Sequence, residues 1–199
     1  HLKAVATVLN MTITFTASRS IPKAVKAAVT IVTSDAVRAG IDGVDPKQLE
    51  AAGFEGKVGQ THTWPSTGRV LALVGIGAAK DVDGNAVRAT GASIGRSFGR
   101  HARIGISLPV SELNDSATRQ ALAEGVMLST YTYTAYKSDA KPTKLAKVDI
   151  AGASGARAQT ALDRGAALAA GQCFARDLVN EPGGDLTPAA FARRLSAMA

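Results

Sequence analysis

Arg69-Val70-Leu71-Ala72-Leu73-Val74-Gly75-Ile76-Gly77 is apolar from Val70 onward and closes on a glycine turn. A half-buried strand alternates apolar and polar residues, whereas a strand without alternation has both faces covered. Ala27 to Thr33 has the same property: it is nearly continuous, β-branched, and ends at the turn-like pair Ser34-Asp35. Two such strands predict a sheet with helices on each side. Around them, Met11 to Ala17 alternates and is rich in Thr and Ile, while Arg103 to Leu108 and Lys147 to Ile150 are shorter strand candidates.

Helical periods fill the intervals. Asn85 to His101 puts Val87, Gly91, Ile94 and Phe98 on one face and Arg96 and Arg100 opposite, with Asp83 as the predicted N-cap. Ser116 to Tyr136 repeats the arrangement, with Leu122, Val126, Tyr133 and Tyr136 in line. Strand and helix alternation argues for an α/β layered domain over about residues 10 to 153. Ala151 to Arg157, a run of small residues, is the candidate boundary. A long helix follows, from about Gln159 to Val179. Leu162, Ala166, Ala169 and Cys173 share one of its faces, and Leu168, Ala175 and Val179 form another. Such a helix needs cover on two sides, and Gly165 and Gly171 allow close neighbours. Asn180-Glu181-Pro182-Gly183-Gly184 stops it, and Thr187-Pro188 opens a new helix as N-cap and first residue. That helix runs to Ala199 without a stop signal, and His1 is not an initiator, so the chain reads as cut rather than finished.

Composition narrows the class. In 199 residues, 46% hydrophobic and 20% charged, there is enough apolar matter for a buried core, which excludes a disordered tail or a collagen-like chain. No apolar run approaches the roughly 18 residues of a membrane span, and the N-terminus lacks a signal pattern. The single cysteine, Cys173, excludes a disulfide framework and a cysteine-based zinc site, which points to a reducing, cytoplasmic setting. A net charge of +7 invites a nucleic-acid reading. The basic residues are scattered, however, with the densest run at Lys137, Lys141, Lys144 and Lys147, and aromatic residues are scarce. A solvated basic surface is the preferred reading over nucleic-acid binding.

Three constellations invite chemistry. Gly91-Ala92-Ser93-Ile94-Gly95 matches a G-x-S-x-G elbow, but it lies inside a helical period, where small residues serve close packing. Gly75-Ile76-Gly77 follows a buried strand as a phosphate cradle would, yet Lys80 stands where G-x-G-x-x-G requires glycine. The turn reads either as a plain strand-to-helix connection or as amides presented to a nucleotide. His1, His62 and His101 are far apart, and the pairs Asp42/Asp45 and Asp81/Asp83 lie beside glycine, where carboxylates cap and turn. Cys173, beside Phe174 on an apolar face, reads as packing. No catalytic, cofactor-binding or metal-binding residue is assigned in these 199 residues.

Ala175-Arg176-Asp177-Leu178-Val179-Asn180-Glu181-Pro182, followed by Leu186-Thr187-Pro188, resembles the leucyl (cytosol) aminopeptidase family, M17. There an A-R-D-L-x-N-x-P segment, then L-T-P and a helix, joins the N-terminal to the catalytic domain. Phe54 to Gln60 resembles that family's F-x-G-K-x-G-x, and Leu73 to Gly77 its strand ending in G-x-G. Glu124-Gly125-Val126-Met127-Leu128 with Tyr131, Tyr133, Tyr136 and Lys137 resembles its E-G-x-x-L-x-x-Y-x-Y-x-x-Y-K.

The resemblance implies a macro-domain-like α/β layer with a mixed, largely parallel sheet flanked by helices, over residues 1–156. It implies a connecting helix and turn over 157–184 and the start of a catalytic domain over 185–199. The parent it implies removes N-terminal residues from peptides with two divalent metals (manganese, zinc or magnesium), as a hexamer. The partners would be the chain's own catalytic domain, sister subunits and the peptide substrate, with no membrane. That family's metal-binding motifs, G-K-G-x-x-F-D-[ST]-G-G and N-T-D-A-E-G-R, do not occur in these residues, so no catalytic role is carried over. The alternative, motivated by the basic charge, the Gly75–Gly77 turn and the macro-like fold that the resemblance implies, is a nucleotide- or DNA-binding module; some relatives of the family also moonlight on DNA.

Overall fold

The computed structural model describes residues 13–108, 115–139, 141–152 and 154–198. Six strands form one sheet: β1 (Thr14–Ser18), β2 (Ala27–Val32), β3 (Thr61–Ser66), β4 (Arg69–Gly75), β5 (Arg103–Ser107) and β6 (Lys147–Ala151). Their spatial order is β1-β6-β5-β2-β4-β3, parallel throughout except for the antiparallel edge pair β3 and β4. The helices are α1 (Ser34–Ala39), α2 (Pro46–Ala51), α3 (Gly84–Phe98), α4 (Ser116–Ser129), α5 (Ala156–Asn180) and α6 (Pro188–Met198), with a 3-10 turn at Ala79–Asp81. The α/β layered reading holds. Of the predicted first strand, Met11 and Thr12 lie outside the described residues.

Alternation along the strands divides two cores. Ala27, Val29, Ile31, Ala72, Val74, Ile104, Ile106, Val148 and Ile150 point to one face, where α3, α4 and α5 lie side by side and bury Val87, Ile94, Phe98, Leu122, Val126 and Leu162. Val32 and Leu73 point to the other, where they meet Leu49 of α2, Phe54 and Trp64. The unbroken apolar runs of β2 and β4 follow from this two-sided cover. On that far side of the sheet, Arg103 of β5 reaches diagonally to Asp149 of β6. It grips the buried carboxylate with Nε and Nη2 at 2.6 and 2.9 Å.

The helices begin where short side chains can take up first-turn amides. Asp83 accepts from Ala86 N at 2.7 Å to start α3, and Asp115 accepts from Thr118 N at 2.6 Å to start α4. The cap holds the Asp115 carboxyl below the usual carboxylate range, first through the Thr118 amide. One expectation fails: the second helix stops at Ser129, not Tyr136. Thr130 ends it by turning its hydroxyl onto Met127 O at 2.8 Å, and the alternating Thr and Tyr residues that follow disfavour helix. Sequence periodicity also missed β3, α1 and α2, which are too short to show a period.

Between α3 and α4 the backbones nearly touch. A Cβ on Gly91 would stand 2.7 Å from Leu122 O, and one on Gly95 would stand 2.6 Å from Val126 O. From the other helix, a Cβ on Gly125 would lie 2.9 Å from Arg88 C and closer still to its carbonyl oxygen. The small residues of the apparent elbow are therefore packing surface. α5 joins the same core through Leu162, Ala169, Ala170 and Phe174, so the long helix belongs to the layer that covers the sheet. Its second apolar face is open, with Leu168 52% and Val179 85% exposed.

The free edge of β1 is closed by a side chain. Gln159 of α5 accepts from Ala17 N and donates to Phe15 O, both at 2.9 Å, as a neighbouring strand would. No helix among the described residues is long and apolar enough to cross a membrane.

Candidate functional site

The turn at the end of β4, Gly75-Ile76-Gly77, keeps its amides for the protein. All three of its amides have partners within the protein: Gly75 N donates to Gln60 O (2.8 Å), Ile76 N to Val32 O (2.9 Å) and Gly77 N to Gly56 O (2.9 Å). Gly75 is glycine because a Cβ there would stand 2.5 Å from Gly56 O, so the Phe54–Gln60 segment occupies the space a phosphate would need. Gln60 locks that segment by accepting from Glu55 N and Lys57 N and donating to Gly53 O. The two family-like motifs at 54–60 and 73–77 thus build one interlocked turn, and the amides face protein, not solvent.

The other candidates also resolve into structure. Ser93 sits mid-helix in α3, nearly buried, and donates to Gly59 O at 2.6 Å. His62 stacks on Trp64 and lies 3.3 Å from Gln48 Nε2. His101 lies against Phe98 instead, with ring centres 6.2 Å apart. Asp45 caps α2, Asp83 caps α3, and Asp42 and Asp81 join no metal-binding group. Among the described residues no three His, Cys, Asp or Glu side chains converge, so the donor set for a metal pair does not fit here. Cys173 is buried, which pushes its thiol up and keeps it protonated.

What the fold does bring together is a latch at the end of α5. The extended segment after α4 carries Tyr131, Tyr133 and Tyr136, and the end of α5 with the following turn carries Arg176, Asp177, Asn180, Glu181 and Asp185. Tyr131 Oη donates to Asp177 Oδ1 at 2.8 Å and accepts from Asn180 Nδ2 at 3.2 Å. The Arg176 guanidinium lies over the Tyr131 ring, 5.5 Å from its centre. Tyr136 Oη donates to Asp185 beyond the Pro182-Gly183-Gly184 turn, and its ring lies 6.0 Å from that of Tyr133. Glu181, its side chain 7% exposed, pairs with Arg194 of α6. Thr187 accepts from Ala190 N at 3.3 Å, the predicted cap at the start of α6. The exit of α5, the turn and α6 are each tied down by a separate polar contact. Sequence reasoning quoted both segments but did not pair them, because their partners lie 46 to 49 residues apart.

The latch has a pH signature. Burial, then the Asp177 contact, raises Tyr131; the Asp185 contact, then burial, raises Tyr136; burial raises Tyr133. A phenol whose folded pKa lies above its unfolded value stabilises the fold below about pH 10 and loses that contribution as pH rises past the folded value. These are the chain's three tyrosines, so tyrosinate absorbance near 295 nm reports the latch alone. The expected titration is displaced above about pH 10, and Asp185→Asn moves part of it back. A wild-type midpoint at the free-tyrosine value would mean the contacts do not form in solution.

The family model described as "Cytosol aminopeptidase family, N-terminal domain" matches residues 22–140. A probable cytosol aminopeptidase of Rippkaea orientalis is 35% identical over 161 residues, 76% of this chain and 32% of that protein. One from Streptomyces avermitilis is 30% identical over 190 residues, 86% of this chain and 36% of that protein. The chain spans about a third of the length of these curated relatives. Among solved structures, the bottromycin maturation enzyme BotP in complex with Mn superposes with a TM-score of 0.68 at 30% identity, over 87% of this chain and 36% of that one. A tomato leucine aminopeptidase mutant gives 0.77 over 94% of this chain and 42% of that one; at 20% identity it speaks for the fold.

Proposed function

Because this chain belongs to the cytosol aminopeptidase family, whose N-terminal domain it matches, we propose that it is the non-catalytic N-terminal part of a metal-dependent leucyl aminopeptidase. The parent removes N-terminal residues from peptides in the cytoplasm. Its two divalent ions, manganese as in the bottromycin enzyme or else zinc or magnesium, belong to a later domain and supply a polarised carbonyl and an activated water. Residues 1–156 form the sheet domain, 157–184 the connector, and 185–199 the opening of the catalytic domain. Packing on that domain, contacts between subunits of a hexamer and access to the active site are the roles of this part.

The latch is the observation that carries this reading. The N-terminal domain holds the end of the connector through Tyr131 on Asp177 and the segment after it through Tyr136 on Asp185, and Glu181 of the connector pairs with Arg194 of α6, so the direction in which α6 leaves is set. Such a set of contacts would serve to aim a second domain. The exposed apolar side chains Leu168 and Val179 of α5 and Phe191 and Leu195 of α6 support the same reading, since each is available for cover by another body.

The test is a peptidase assay on leucine p-nitroanilide with manganese. Residues 1–199 alone are expected to show no metal-dependent turnover, in contrast to a chain that also carries the two metal-binding motifs. Turnover by these 199 residues, abolished by a chelator, would overturn the assignment of the chemistry to a later domain.

A further inference from the structure

The lysine run singled out in the sequence acquires partners in the fold. Helices α3 and α4 connect parallel strands, so both end at the sheet edge where strands begin, and an open cleft of about 450 Å³ lies between their ends. Its rim holds Arg96 of α3, Arg100 just past the end of that helix, and Lys141 and Lys144 from the segment leading into β6. None of these four appears in an ion pair of the described residues. The lysines come from a stretch more than 40 residues after the arginines, so the fold, not a local run, concentrates the charge.

Two helix C-termini face the cleft, and cations often gather there to complement the dipole. That need does not account for four. Two helix ends carry together about one negative charge, which leaves an excess of about three positive charges. Nor do the terminal carbonyls wait for these side chains. Gly99 O is taken by Lys144 N (2.7 Å) and Thr143 Oγ1 (3.0 Å), Val126 O by Ser129 Oγ (2.9 Å), and Met127 O by Thr130 Oγ1 (2.8 Å). All four residues are exposed instead. His101, whose Nε2 accepts from Arg100 Nε at 3.3 Å, is held below its ordinary value by burial and then by the Arg100 charge, so it stays neutral beside them.

We propose that this cleft is a binding site for a compact polyphosphate of nucleotide size, held by Arg96, Arg100, Lys141 and Lys144. Its volume suits a small ligand. The Ser129, Thr130 and Thr143 hydroxyls lining it spend their protons on carbonyls, so they offer acceptors only, and the anion's oxygens fall chiefly to the cations. This site is independent of the aminopeptidase assignment.

Calorimetric titration of the chain with sodium tripolyphosphate and, separately, with ATP tests it. Saturable one-to-one binding is expected, weakened about tenfold or more in Arg100→Gln/Lys144→Gln. Lys47→Gln/Lys80→Gln, which removes the same charge at exposed positions on α2 and in the turn beyond the C-terminal end of β4, is expected to leave affinity within about twofold. ATP binding tighter than tripolyphosphate assigns the ligand to nucleotides; equal binding assigns it to the polyphosphate moiety alone. Absence of saturation at millimolar tripolyphosphate, equal losses in both double variants, or displacement of the bound anion by duplex DNA at lower concentration would each overturn the proposal.

Discussion

Gly125→Ala is expected to destabilise the fold by about 3 kcal/mol, at the upper end for one added methyl, because the atoms it meets are backbone. The new Cβ would stand 2.9 Å from Arg88 C and 3.0 Å from Arg88 Cα, and nearer still to the Arg88 oxygen. No side chain can rotate away to admit it; α3 and α4 must separate, and that loosens Val87, Ile94, Leu122 and Val126 together. For a chain of this length the loss corresponds to a fall of about 6 to 12 °C in Tm. Gly171→Ala is the control. It lies in α5 with nothing within 4 Å of its Cβ position, so removing a helical glycine there should add about 0.5 to 1 kcal/mol. Thermal unfolding followed by circular dichroism reads both. Equal Tm values for Gly125→Ala and the parent would show that the two helices are not in backbone contact.

Arg88→Met should cost about 3 kcal/mol by a different route. Glu124 is nearly buried between α3 and α4, its side chain 10% exposed, and its carboxylate accepts from Arg88 Nε at 2.6 Å and from Gln120 Nε2 at 2.8 Å. Removing the arginine leaves a buried charge with a neutral partner alone, and stranding one member of a buried pair costs more than the pair contributes. The low end of the usual range applies because Arg88 is itself 45% exposed and water can approach its place. Adding Glu124→Leu should recover most of the loss, since an apolar pair needs no counter-charge. Chemical denaturation of the single and double variants checks this. A double variant no more stable than Arg88→Met would mean that the arginine acts through its stem, by packing, and not through the carboxylate. Both predictions concern one contact, so Gly125→Ala and Arg88→Met combined should cost less than their sum.

Those same residues show where the chain's local pattern was readable. Glu124-Gly125 was quoted as part of a family-like run, and the period around it correctly placed Leu122 and Val126 inside. That the glycine admits the Arg88 backbone, and that the glutamate takes its side chain, depends on a helix 36 residues earlier in the chain. The error over Ser116 to Tyr136 has the same origin. Tyr133 and Tyr136 continue the helical spacing by number, but a β-branched stretch with a hydroxyl cap ends the helix, after which Tyr131 turns to Asp177 of α5 and Tyr136 to Asp185 beyond it. Of the candidate site, the two segments were visible as motifs, and their contact was not.

The strand positions other than that of β3, the N-caps at Asp83 and Thr187, the buried face of α3 and the small-residue contact of its Gly91 and Gly95 are properties of short windows, so composition and period within about one helix or strand determined them. Tertiary structure alone decided the strand order, the closing of the β1 edge by Gln159 from 142 residues away, the filling of the Gly75 turn by Gly56, and the meeting of three tyrosines with the carboxylates of the connector. The physical reason is one of range. Hydrogen-bond capping and amphipathic burial act between near neighbours in the chain, whereas the choice of partner for a buried polar group is made only after distant segments have been packed side by side.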